Sequence, residues 1–219
     1  MNLLGMKSFD ELLAWTCAPV LLGRKSANLV CVPLCEKTDI TCILQNYKDF
    51  FQSRDIEYRV MCFCHKRALV LIYNRPMLID VLNDKGNRAF LIANGYNIQA
   101  QIDNDLDILE KHMMSSKEFP HEIGVFLGYP LEDVLGFVLH KDAYCKHKGY
   151  WKVYGDVNKA KEIFNSFKNI SAKIFSFPSD PAGHVRAVHR SLFAHAGIPS
   201  GGKQIGLCTA ADVCGHRSV

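Results

Sequence analysis

Apolar residues recur at the spacing of one helical face at Ile40, Ile43, Leu44, Tyr47, Phe50 and Phe51. The same period returns at Ile102, Leu106, Leu109 and Met113, and again at Val157, Ala160, Ile163, Phe164 and Phe167. Each series predicts an amphipathic helix. Ser8-Phe9-Asp10-Glu11 reads as a capping box that opens a further helix to about Cys17, with Pro19 as its stop. Pro76 suits a first helical turn, Gly86 a break, and Asn94-Gly95 a C-terminal stop. The β signals are shorter. "ANLVCVPL" (27–34) predicts a strand whose Pro33 confines it to an edge or marks its end. Residues 58–74 predict two β runs about a short "HKR" turn.

Between residues 122 and 128, "EIGVFLG" reads as another strand, followed by a Gly128-Tyr129 turn. A helix follows, with Pro130 in its first turn, running to about Leu139. Glu132 and Asp133 fall where carboxylates favour the positive helix end, worth about 0.3–1 kcal/mol each when exposed. "GYWKVYG" (149–155) predicts a last strand. Helices and strands in this irregular order predict an α+β or mixed α/β domain. Its mixed sheet would contain a hairpin and be flanked by amphipathic helices. That domain is expected over 1–173. The segment 174–219 departs from it, with three arginines to one lysine and four of the nine histidines. It reads as an atypical tail, flexible or loosely attached, with a short helix at "HVRAVHRSLFAHA" as the other reading.

Composition narrows the classes. Of 219 residues 48% are hydrophobic, yet the longest apolar run, 68–73, is far below the roughly 20 residues of a membrane helix. The N-terminus lacks a signal-peptide pattern, so the cytoplasm is the expected compartment and no membrane partner is expected. A net charge of +4 is too small to call for nucleic acid. Nine cysteines in a reducing compartment are core thiols, metal ligands or reactive groups rather than a disulfide framework.

Three stretches carry a resemblance: "CAPVLLGRKSANL" (17–29), "FPHEIGVFLGYPLEDVLGF" (119–137) and "CKHKGYWKVYGD" (145–156). Over about residues 12–170 the chain resembles a bacterial family known as domain of unknown function 3793. The matching polar positions are Cys17, Lys25, His121, Glu122, Glu132 and Asp133, framed by Gly124, Gly128 and Pro130. The resemblance implies a domain. It implies no activity and no cofactor.

Two function classes follow from the residues. The first is a cytosolic protein that binds a small ligand or cofactor in a pocket of Cys17, Lys25, His121 and the Gly128-Tyr129-Pro130 turn. Cys17 would serve as nucleophile or ligand, His121 as acid/base, and Lys25 as anchor for an anionic group, with Glu122 a further ligand-binding candidate. Against this, a thiol at a helix C-terminus is a poor thiolate, and neighbouring strand residues such as His121 and Glu122 point apart. The second class is a non-catalytic interaction module that presents a protein partner with Tyr150 and Lys152 on a basic-aromatic strand face. Such a face equally reads as a solvated edge strand. Cys31, Cys35, Cys62 and Cys64 are weak metal candidates, because paired Cys-x2-Cys spacing is absent. "GIPSGGKQ" (197–204) misses the hydroxyl of a phosphate loop at Gln204 and is set aside.

Overall fold

The computed structural model describes residues 9–34, 39–64, 67–97, 101–115 and 119–175. Helices α1 (Phe9–Thr16) and α2 (Ala18–Leu21) lead into strand β1 (Ala27–Pro33). Helices α3 (Ile40–Gln45) and α4 (Lys48–Gln52) precede the hairpin of β2 (Ile56–Cys64) and β3 (Arg67–Asn74). Then come α5 (Arg75–Asn83), α6 (Lys85–Ala93), α7 (Ile102–Ser115), α8 (Ile123–Phe126) and α9 (Leu131–His140). A small ribbon of β4 (His147–Lys148) and β5 (Lys152–Val153) and the long helix α10 (Val157–Phe175) complete the described chain.

The main sheet has the order β1-β3-β2 and is antiparallel throughout, so α+β is the alternative observed. Strand alternation divides its side chains between two cores. Val30, Val32, Ala68, Val70 and Ile72 face a cluster built with α1 to α4. Ala27, Leu29, Cys31, Leu69, Leu71 and Tyr73 face the other, built with α5 to α9. Central β3 is therefore buried on both faces, which is why "ALVLIY" is continuously apolar rather than alternating. β1 is an edge strand ending at Pro33, as expected. A third, smaller cluster joins Trp151 and Val153 to Ala160, Phe164 and Phe167 of α10.

Three local expectations change. Pro19 opens α2 instead of ending the helical region; α1 closes at Thr16, and the proline, lacking an N–H, sits in the first turn of the next piece. The run 122–128 is helical, not a strand. Ile123 to Phe126 are all buried, and a short, wholly apolar run has no period by which to tell helix from strand. The N–H groups of Gly124 and Val125 donate to the carbonyls of His121 and Glu122 at 3.1 and 3.0 Å, which satisfies buried backbone without a neighbouring strand. Finally, 149–155 is the turn and second arm of the β4–β5 ribbon, with Gly149 N–H donating to the Trp151 carbonyl. The expected tail lies outside the described residues from 176 onward.

Candidate ligand-binding site around Lys25

Two backbone features set the site. The α1–α2 break puts Thr16 and Cys17 beside the start of β1, and Gly128 turns the chain between α8 and α9. Gly128 has φ of +71°, and a Cβ there would lie 2.7 Å from Ser26 Oγ, so only glycine fits. Ser26 Oγ donates to the Phe126 carbonyl at 3.1 Å, tying the start of β1 to this turn. Tyr129 is thereby delivered next to Lys25.

Lys25 is 8% exposed. Its Nζ donates to Asn28 Oδ1 at 2.7 Å and lies 5.5 Å from the centroid of the Tyr129 ring and 5.9 Å from that of Phe167. No carboxylate is among its partners in the described residues. Burial lowers its pKa to about 8, with the nearby Cys17 sulfur pulling in the opposite direction. Asn28 Nδ2 donates in turn to the Thr16 carbonyl at 2.8 Å, and the Thr16 hydroxyl lies 3.5 Å from Cys17 Sγ. One polar chain thus links Lys25, Asn28, Thr16 and Cys17. Burial pushes the Cys17 thiol up to about 11 despite Thr16, Lys25 and Asn28, so it is protonated at neutral pH. Tyr129 stacks on Trp151 with centroids 4.8 Å apart, and burial raises its phenol to about 12.

The sequence candidates divide between places. Cys17, Lys25 and Tyr129 come together, framed by Gly128. His121 is not among the polar neighbours of Cys17, which are Thr16, Lys25 and Asn28. His121 Nε2 lies 3.4 Å from Lys141 Nζ, and its ring meets Phe137 edge-on. Glu122 meets His112 Nδ1 at 2.6 Å and the Tyr96 hydroxyl at 3.4 Å. Nothing in the sequence spacing singled out His112, which lies ten residues away on another helix.

Tyr150 and Lys152 do not share a strand face. Tyr150 stands in the ribbon turn and packs on Phe164 and Phe167 of α10, whereas Lys152 pairs with Asp142 and covers the Phe137 ring. Cys31 and Cys62 both register with Leu69, one from each outer strand. The central strand thus separates them by two inter-strand spacings, about 9.5 Å, too far for thiolates on one ion. Cys35 and the side chain of Cys64 lie outside the described residues.

Asp133 plays a part beyond its helix end. It is 3% exposed and accepts from Trp151 Nε1 at 2.7 Å and from the N–H groups of Tyr154 and Gly155 at 2.7 and 2.8 Å. Glu132 accepts from the Asp156 N–H at 3.3 Å. Together they pin the β4–β5 ribbon to α9 and hold Trp151 against Tyr129, the wall of the Lys25 site. A second buried carboxylate, Asp105, is fully enclosed and takes both nitrogens of the Arg88 fork at 3.1 and 2.8 Å.

The family model described as "protein of unknown function (DUF3793)" matches residues 13–180, and the chain belongs to that family. No curated protein and no solved structure matches it. Among the described residues no helix is long and apolar enough to cross a membrane.

Proposed function

We propose that this chain is a small-ligand-binding protein whose site is organised on Lys25 and takes an anionic group. One observation carries the reading: a nearly enclosed ammonium with a single hydrogen-bond acceptor, Asn28, and no carboxylate among its described partners. An ammonium has three donors, and burying one without a counter-charge is costly. A ligand carboxylate or phosphate supplies both the charge and the missing acceptors. The faces of Tyr129 and Phe167 provide apolar walls beside it, as ligand sites require. Cys17 lines the site as a protonated thiol rather than as a thiolate nucleophile.

The test is native mass spectrometry of the protein as purified, run beside Lys25→Met. The reading expects a retained anionic small molecule in the wild type that is missing from a variant at least as stable. A variant that loses several degrees of melting temperature, with no adduct on either protein, makes Lys25 an architectural residue and ends the proposal.

A further inference from the structure

His112 and Glu122 form a pair independent of the Lys25 site. Glu122 is 7% exposed, and its Oε1 sits 2.6 Å from His112 Nδ1. A carboxylate only accepts hydrogen bonds, so when the ring is neutral this contact places the proton on Nδ1 and the lone pair on Nε2. The Tyr96 ring stands edge-on to the imidazole, centroids 5.6 Å apart at 86°, which fixes the ring plane. The His112 side chain is one-third exposed, at 33%, and among the described residues Nε2 has no partner. The histidine lies in the last turn of the 14-residue helix α7, where the helix end favours positive charge. Carboxylate and helix end therefore both stabilise the ring once Nε2 has taken up an electrophile. The hollows beside Arg75, of about 260 and 230 Å³, are lined by other residues.

We propose that His112 is a phosphoryl-acceptor histidine, with Nε2 as the accepting atom, Glu122 as its positioning residue, and an acyl phosphate as the class of donor. The Nε2 lone pair attacks phosphorus and a P–N bond forms. The P–O bond to the acyl oxygen breaks, and the donor carboxylate leaves with that electron pair. No proton moves: Nδ1–H stays on the ring, which becomes cationic against Glu122. A surface nitrogen of this kind suits a group that is received and handed on.

The full chain is incubated with acetyl phosphate and read by intact mass, peptide mapping and phosphorus NMR. The expected result is one acid-labile, alkali-stable phosphoryl group on His112, and none on His112→Gln. Glu122→Gln, with folding checked by circular dichroism and melting, is expected to label about tenfold more slowly, at the lower end of what losing a carboxylate partner costs a working imidazole. Nitrogen-15 NMR of the wild type is expected to show the Nδ1–H tautomer. Labelling spread over the nine histidines, no labelling at all, or a folded Glu122→Gln that labels at the wild-type rate each overturns the proposal. If His112→Gln fails to fold, the Glu122→Gln rate and the tautomer still decide.

Discussion

Asp133 and Lys25 are buried to nearly the same degree, and the chain treats them in opposite ways. Asp133 receives three N–H donors from the ribbon it holds, so its charge is answered by hydrogen bonds. Among the described residues Lys25 receives one acceptor and two ring faces, which leaves donor capacity on its ammonium unfilled by them. Both residues lie in the blocks that carry the family resemblance. A buried charge whose partners are all in place reads as architecture. One that is under-supplied in an otherwise well-paired fold is the observation on which the proposed binding site rests.

The largest expected effect breaks the architectural side. Asp133→Ala leaves the Trp151 indole and two backbone N–H groups without an acceptor, at about 1–3 kcal/mol each, so a loss of about 4 kcal/mol is expected by denaturant unfolding. Asp133→Asn keeps an acceptor for the two backbone donors but faces Trp151 with an amide that cannot accept, and is expected to lose about half as much. A loss under about 1 kcal/mol for Asp133→Ala would remove the clamp from the account.

A smaller effect sharpens the Lys25 side. Folding lowers this lysine from its ordinary value of 10.5 to about 8. Above pH 8 the unfolded chain therefore holds a proton that the folded chain has released, and stability rises with pH. Cys17 has the opposite sign: the unfolded thiol ionises from about 9 while the folded one keeps its proton to about 11, so stability falls above pH 9. The lysine effect is thus clearest between pH 8 and 9, at up to about 1 kcal/mol. Denaturant midpoints at pH 7, 8 and 9 are expected to show that gain in the wild type and not in Lys25→Met. Parallel curves for the two proteins would mean that Lys25 keeps its proton in the fold.

The smallest effect is the control. Arg75 bridges Glu57 and Asp103 at 2.8 and 2.7 Å, but all three side chains are at least one-third exposed. Arg75→Ala is expected to cost only about 0.5–1 kcal/mol and to weaken further in salt. A cost near that of Asp133→Ala would show that pairing, not burial, governs how much these charges matter.

The periodic parts of the fold were legible in advance. Helices around 40–51, 102–113 and 157–167, the edge strand with its terminal proline, and the β2–β3 hairpin all follow from period and punctuation. The run 122–128 was misread because burial on every side erases the period, and the ribbon because two two-residue strands are too short to show one. Of the candidate site, Lys25, Cys17 and Tyr129 were named from residue type and resemblance. The sequence reading placed them in one pocket with His121, but no spacing along the chain carried the distances between them. His112 was not visible at all, since its partner Glu122 belongs to a different element.

The sequence alone determined the periodic helices, the edge strand with its proline and the hairpin, and that the chain carries the family's polar positions, because these depend on neighbours a few residues apart. Only the tertiary structure decided which charges are paired. Burial and hydrogen bonding depend on residues brought from afar: Asp133 finds the ribbon some twenty positions on, Glu122 finds His112 on α7, and Lys25 meets rings from the α8–α9 turn and α10 and, among the described residues, no carboxylate.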